Sequence, residues 1–462
     1  MHFETLKGWL AWQESLHPQS IDLGLDRVTR VFNALHNPAP TKPLTITVAG
    51  TNGKGSSIAF LEAIYLAQGY KVGAYTSPHI IHYNERIKIN AVPVSDAQIC
   101  AAFERIEAVR DNISLSYFEF GTLAALDIFS RSNLDIQLLE VGLGGRLDAV
   151  NIIDPDATIV TSISIDHTAW LGETREAIAY EKAGIFRPDT VAITGDIDPP
   201  NTLIDCAEKV NAQLLRLGEE FTYHQHASSA ADILDESKDN YNPSFKSVAD
   251  ERPNPPNQNS CCTGWDWQYG NSQLCNLPVP HLKGEHQYRN ASSVLTAINT
   301  LQDKLAVSEQ AIKQGLRSVN LQGRFQLIQS QPSVLLDVSH NPQAAQALID
   351  HLQAEFLQMP VHAIFTMMND KDLTGVIGLM QPFIKHWYIS PLDNPRIFLQ
   401  TELQQAFVQC NIGQVSLDFS DFLAAYSAAE TKALADQGII LIFGSFFLVS
   451  EYLTLFSNPQ GQ

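Results

Sequence analysis

The chain has 462 residues, longer than one hydrophobic core serves, so about two or three domains are expected. Its 45% apolar content is ample for packed cores, while 50 acidic against 30 basic side chains leave a net charge of −20. That balance repels phosphodiester backbones and anionic lipid, which argues against nucleic-acid or membrane partners. The start, Met1 to Lys7, lacks a basic n-region, and the apolar stretches near it are too short for a signal peptide or a span, so a cytoplasmic protein is expected. Cys100, Cys206, Cys261, Cys262, Cys275 and Cys410 form no C-x-x-C pair and no zinc-finger spacing with histidine, and read as reduced thiols.

After a helical start, Leu44, Ile46 and Val48 alternate with threonines and run into Ala49-Gly50, a strand ending in a tight turn. Ile58, Leu61, Ile64 and Tyr65 then fall at helical spacing, closed by Gly69. Strands are expected at Val72–Thr76, Leu134–Val141 and Ala157–Ile165, separated by helices at Ser95–Val109 and Phe120–Phe129. The alternation predicts an α/β fold with a mostly parallel, doubly wound sheet. From about 224 to 277 Ser, Asn, Asp, Pro and Gln dominate with no sustained period, which reads as a partly disordered insertion. A helix resumes near Ala291–Leu301. Beyond Gly323 apolar strands at Val334–Val338, Val361–Thr366, His386–Ile389 and Gly438–Phe443 predict a smaller Rossmann-like α/β domain, dividing the chain into 1–320 and 321–462. The apolar stretch Gly438–Phe456, interrupted by Gly444-Ser445 and Glu451, reads as strand, turn and helix rather than a membrane span.

The loop Gly50-Thr51-Asn52-Gly53-Lys54-Gly55-Ser56 sits between strand and helix. Its glycines let backbone N–H groups turn inward, and Lys54 with the helix N-terminus adds positive charge where phosphate oxygens would lie. The spacing departs from G-x-x-x-x-G-K-[ST], and a plain strand-to-helix turn has the same glycines. Glu140 ends an apolar strand at the edge where open α/β sheets bind ligands, and Gly142-Leu143-Gly144-Gly145 follows; a carboxylate there suits Mg²⁺. A third strand leads to Ser164-Ile165-Asp166-His167, and a helix ends in Glu181-Lys182-Ala183-Gly184. Taken singly, His167 is most simply a hydrogen-bonded structural histidine and Lys182 a cation favoured in a last helical turn.

Together these blocks, with Thr76-Ser77-Pro78-His79, Tyr117 to Thr122, Glu140 to Ala149, Gly323-Arg324-Phe325-Gln326 and Leu336 to Pro342, resemble the folylpolyglutamate synthase and dihydrofolate synthase family, a branch of the Mur ligase superfamily. The match runs in order through nearly the whole chain outside about 224–277. It implies a phosphate-loop ATP-binding first domain and ATP phosphates held by Thr51, Asn52, Gly53, Lys54, Gly55 and Ser56. It implies two Mg²⁺ ions on Ser77, Glu140 and His167, and a carbamylated lysine at Lys182, since a carbamate turns that cation into an anionic oxygen ligand. Catalytic roles fall to Lys54, Lys182 and His167. Asn290, Arg324 and Asp337 correspond to further ATP contacts, with His340 beside them; the last three lie in the second domain, so the domains would close over the nucleotide. The pterin segments correspond to Ile21, Asp22 and Leu23, to Ser116, Tyr117, Phe118 and Glu119, and to Leu147, Asp148 and Ala149. Phe118 can stack on a flat ring, and Asp22 and Asp148 can accept from its amino groups, although helix capping and turn formation are the ordinary explanations for each acid alone. Asp370-Lys371-Asp372 also fits the family, with no definite role.

The implied activity is an ATP-dependent acid–amino-acid ligase that adds L-glutamate to dihydropteroate and to the glutamate tail of tetrahydrofolate through an acyl phosphate. Alternatives are a monofunctional folylpolyglutamate synthase, a Mur ligase of peptidoglycan synthesis, or a nucleotide-switched binding protein. Gly55 and Arg146-Leu147-Asp148-Ala149 favour the folate branch, and the second-domain residues argue against a mere switch. Small-molecule substrates and a monomer are the family expectation.

Overall fold

A computed structural model of the protein describes residues 3–19, 21–35, 42–226 and 264–456. The first sheet has eight strands: β1 (Leu44–Ala49), β2 (Val72–Tyr75), β3 (Ile87–Ile89), β4 (Val92–Pro93), β5 (Ile136–Glu140), β6 (Ala157–Val160), β7 (Val191–Thr194) and β8 (Gln213–Arg216). Their order is β4-β3-β2-β5-β1-β6-β7-β8. The strands from β2 to β8 in that order run parallel, and β3 and β4 add an antiparallel edge. Alternation within each strand sends side chains to two cores. Leu139, Val160 and Ala192 pack with the helices Asp96–Val109 and Tyr117–Ser130. Leu138, Ile159 and Ile193 pack on the opposite face, under Lys54–Gln68 and His286–Thr300. Because the crossover from β1 runs to β2 on one side and that from β5 runs to β6 on the other, the loops after β1, β5 and β6 open a crevice at their carboxyl ends.

The remaining strands of the first half are β9 (Phe221–Gln225), β10 (Trp265–Tyr269) and β11 (Ser272–Leu277), an antiparallel sheet in the order β11-β10-β9. The stretch 224–277, read from its sequence as a partly disordered insertion with no sustained period, thus carries strands at its two ends. Trp265 and Trp267 alternate with Asp266, both rings are fully buried, and their indole N–H groups donate to Pro278 O (2.9 Å) and Thr296 Oγ1 (3.2 Å). That short period of two is masked by the polar residues around it. The middle of the stretch, Cys261-Cys262 included, lies outside the described residues. The expected strand Ala157–Ile165 also stops early, at Val160: Thr51 N donates to Ser162 O (2.7 Å), drawing the chain out of the ladder and over the phosphate loop.

The second sheet comprises β12 (Gln326–Ile328), β13 (Val334–Leu336), β14 (Val361–Phe365), β15 (His386–Ile389), β16 (Val415–Ser416) and β17 (Ile439–Phe443), in the order β12-β13-β17-β14-β15-β16. All pairs are parallel except β12 with β13. Its two faces are each covered, Leu335, Ala363 and Leu441 on one side and Leu336, Ile364 and Ile442 on the other. The stretch Gly438–Phe456 is β17, a turn and the helix Phe446–Phe456. Among the described residues no helix is long and apolar enough to cross a membrane.

Candidate active site

A cavity of about 1130 Å³ lies between the two sheets and is lined by every residue that the sequence singled out for nucleotide, metal or substrate. Gly50 and Gly53 hold φ of 145° and 90°, a region that L side chains resist, and a Cβ on Gly53 would come within 2.6 Å of Asn290 Oδ1. The loop is thus pressed against the helix carrying Asn290. Gly53 caps the helix Lys54–Gln68, whose first turn carries Ser56. Lys54 Nζ donates to Gly50 O (3.1 Å) and Thr51 O (3.2 Å). Burial lowers the Lys54 pKa, opposed by Glu140 and Asp166. Glu140, only 4% exposed, is raised by burial, and Lys54 and the Ser77 N–H act against that rise. Ser77 N donates to Glu140 Oε2 (3.1 Å), and among the described residues no protein donor reaches Oε1. Lys182 is buried at the end of its helix, and burial together with the nearby Lys54 brings its pKa down to about 7.

His167 turns elsewhere. Its Nε2 lies 3.0 Å from Lys371 Nζ and its Nδ1 3.4 Å from Asp370 Oδ2, and its φ of 52° is a left-handed conformation unusual for a residue with a Cβ. Ser77 and Glu140 are in contact, whereas His167 is engaged by the second domain. Asp166 is the hub of that engagement. It accepts from Lys371 Nζ (2.7 Å) and Asn341 Nδ2 (3.3 Å), and His340 Nε2 stands 3.7 Å away. Burial alone would raise the Asp166 pKa, but His340, His167 and Lys371 hold it well below the carboxylate range. Asn52 completes the clasp by donating to Asn341 Oδ1 (3.1 Å) and Gln343 Oε1 (2.7 Å).

On the second-domain side, Arg324 lies over the Phe446 ring (5.2 Å) and donates to Gly323 O (3.2 Å). Asp337 is buried and accepts from Phe325 N (3.0 Å), Ser339 N (2.8 Å) and the Ser339 hydroxyl. His340 directs Nδ1 at Val338 O (2.8 Å), so that nitrogen carries the proton and Nε2 faces Asp166.

The third wall joins Ile21 to Leu23, Ser116 to Glu119, and Leu147 to Ala149. Much of its polarity is already employed. Ser116 and Glu119 form a capping box for the helix Tyr117–Ser130. Asp22 pairs with His17 (2.9 Å) and Arg27 (2.7 Å), and Arg27 also reaches Glu119 (3.1 Å). Asp148 accepts from Leu143 N (2.8 Å) and Val150 N (3.0 Å), yet burial lifts its pKa to about 7. Phe118 packs so tightly on Gly142 that a Cβ there would meet its ring within 2.6 Å.

Residues 48–298 match the Mur ligase middle domain and residues 323–446 the Mur ligase glutamate ligase domain. The dihydrofolate synthase/folylpolyglutamate synthase of Escherichia coli K12 is 38% identical over 450 residues, 97% of this chain and 94% of the relative. The chain belongs to that family. The Haemophilus influenzae dihydrofolate synthase/folylpolyglutamate synthase is 35% identical, over 97% of this chain and 96% of its own length. Among solved structures, E. coli FolC in complex with DHPP and ADP superposes with a TM-score of 0.83 at 38% identity, covering 98% of both chains. A bifunctional folylpolyglutamate synthase/dihydrofolate synthase with Mn, AMPPNP and L-glutamate bound gives 0.82 at 38% identity and the same coverage. As a dihydrofolate synthase/folylpolyglutamate synthase family member the chain is an ATP-dependent ligase.

Asp166, Lys371, Asn341 and Arg86 line the cleft or clasp it, although the sequence alone assigns none of them a role. Asp166 and Lys371 stand inside recognisable motifs, but their partnership spans 205 positions and leaves no local pattern.

Proposed function

We propose that this ligase joins L-glutamate to 7,8-dihydropteroate and to the glutamate tail of tetrahydrofolate, with MgATP as co-substrate. The observation that carries the reading is the single cleft in which a glycine loop with Lys54, the acid Glu140 and the buried Lys182 face Arg324 and Asp337 across a wall shaped by Phe118 and Asp148. A carboxylate is a poor electrophile, so one of its oxygens must first take the γ-phosphoryl group, forming an acyl phosphate and ADP. The loop N–H groups, Lys54 and Arg324 stabilise charge on the transferring group and hold it in line. The glutamate amine then attacks the acyl carbon, and the tetrahedral adduct expels phosphate to leave the amide.

The residues present fit a divalent ion. Among the described residues Glu140 Oε1 has no protein donor, and the acid sits beside Ser77, while Mg²⁺ commonly takes only one or two protein carboxylates and completes its shell with phosphate and water. Bound there, the ion would neutralise phosphate charge. A Lys182 amine with a pKa of about 7 is neutral often enough at physiological pH to react with CO₂, which supports a carbamate at that position. For His167 to join this set, its Nε2 would have to leave Lys371 Nζ and its Nδ1 Asp370.

One assay tests the reading: ADP release with dihydropteroate, with tetrahydrofolate and with a peptidoglycan precursor, each with and without glutamate. Glutamate-dependent release with both pterins is expected, and Glu140→Ala should abolish it. Release only with the peptidoglycan precursor would overturn the substrate assignment, and turnover retained in Glu140→Ala the metal assignment.

A further inference from the structure

The cations of the cleft are mostly committed. Lys371 pairs with Asp166, and Arg175 with Asp196 and Asp198; Lys54 and Arg324 stand at the phosphate end. Arg86, at the end of the turn preceding β3, stands outside these pairs, as Lys182 and Arg289 do among the described residues, and is set apart by what holds its guanidinium. It lines the cavity beside Ser77 and Tyr117, yet among the described residues no carboxylate lies within ion-pairing distance of it, in a chain with 20 more acids than bases. Its backbone is tied by Thr76 N donating to its carbonyl (2.9 Å). Nε donates to His79 Nδ1 (2.8 Å), and the guanidinium carbon lies 5.5 Å from the Tyr83 ring centre and 5.6 Å from that of Tyr117. Two aromatic rings and one imidazole thus hold the guanidinium, while Nη1 and Nη2 make no hydrogen bond among the described residues. That is a preorganised end-on fork for a carboxylate.

Resting on the proposed function, we infer that Arg86 holds the α-carboxylate of the terminal glutamate on the tetrahydrofolate substrate, and so governs tail extension separately from the reaction of dihydropteroate. Two carboxylates are candidates. The reacting one must present a free oxygen to the γ-phosphate and loses its charge on phosphorylation; a bidentate guanidinium would stabilise it before the transition state and oppose attack. An α-carboxylate stays ionised throughout, so binding it costs the chemistry nothing. Dihydropteroate has no such group, since its only carboxylate is the one activated.

The experiment measures KM for tetrahydrofolate and for dihydropteroate in the wild type, Arg86→Gln and Arg86→Lys, together with a tetrahydrofolate analogue whose terminal glutamate is replaced by γ-aminobutyrate and therefore lacks the α-carboxylate. Arg86→Gln should raise the tetrahydrofolate-to-dihydropteroate KM ratio on the order of 10- to 100-fold, the loss of one charge-assisted pair. Arg86→Lys should raise it less, keeping the charge without the fork. The wild type should discriminate against the analogue by a similar factor, and Arg86→Gln should add no further loss on it. An unchanged ratio, including an equal rise in KM for both pterins, or a wild type indifferent to the α-carboxylate overturns the assignment. The last measurement stands even where a variant fails to fold. A wild type that releases ADP with neither pterin would instead sink the proposed function itself.

Discussion

Asp166→Asn isolates the clasp that holds the two sheets around the cleft. The Asp166–Lys371 pair is 2.7 Å long with side chains only 8% and 6% exposed, so Lys371 has little water to turn to when the charge opposite is removed. Breaking such a pair costs about 3–5 kcal/mol. Asp370, 3.5 Å from the same ammonium, remains and recovers part of this, leaving about 2–3 kcal/mol, or roughly a 30- to 150-fold shift away from the closed arrangement. The expected result is a fall in kcat/KM for ATP of up to that factor in the ADP-release assay, with an increased radius of gyration in small-angle scattering. The pH response follows from the sign of the shift. The folded pKa of Asp166 is depressed below 3.8, so its contribution is present above that value and is lost only as pH falls below it. Wild-type compaction should therefore persist on mild acidification to about pH 5 on account of this group. An Asp166→Asn enzyme with kcat/KM within about twofold of wild type and an unchanged radius would refute the clasp, since the cost of an unpaired buried lysine would then be missing.

Three further outcomes are expected. Asp148, raised from 3.8 to about 7, favours the fold fully below 3.8 and loses that contribution as pH rises through 7, a difference of up to about 4 kcal/mol. Asp148→Asn should thus flatten the fall in thermal stability between about pH 5 and 8, and an unaltered slope would show that the acid is not protonated in the fold. Incorporation of ¹³C-bicarbonate at Lys182 should increase as pH rises through about 7 and vanish in Lys182→Arg; labelling that ignores pH or survives the substitution would place the carbamate elsewhere. In Gly315→Ala the new Cβ would come within 2.7 Å of Ile64 Cα and 2.8 Å of Ile64 N, forcing the helices Lys54–Gln68 and Glu309–Ser318 apart. A loss of about 1–3 kcal/mol is expected, read as a lower denaturant midpoint, and an unshifted midpoint would contradict that packing.

Local pattern is enough for what is local. The alternation in β1, the glycines after it and the helical spacing from Ile58 to Tyr65 define a strand, a phosphate loop and a helix because backbone geometry depends on near neighbours. Glu140 at a strand end and Lys182 at a helix end can be placed for the same reason. Asp148 shows the limit: it is legible as a candidate ligand and as a cap, and the fold uses it as a cap while keeping it on the wall of the cleft. The strand pair around Trp265 and Trp267 is not legible, because two buried rings in a polar stretch are too few to establish a period, although they complete the core under the helix His286–Thr300. What only the tertiary structure decides is pairing at a distance. Whether Asp166 meets Lys371, whether His167 faces a metal or a lysine, and whether Arg86 finds a carboxylate all depend on how the two sheets close on each other, and burial in that cleft sets the protonation of Lys182 and Asp148. Desolvation and charge pairing are properties of the assembled cleft, which no stretch of chain carries by itself.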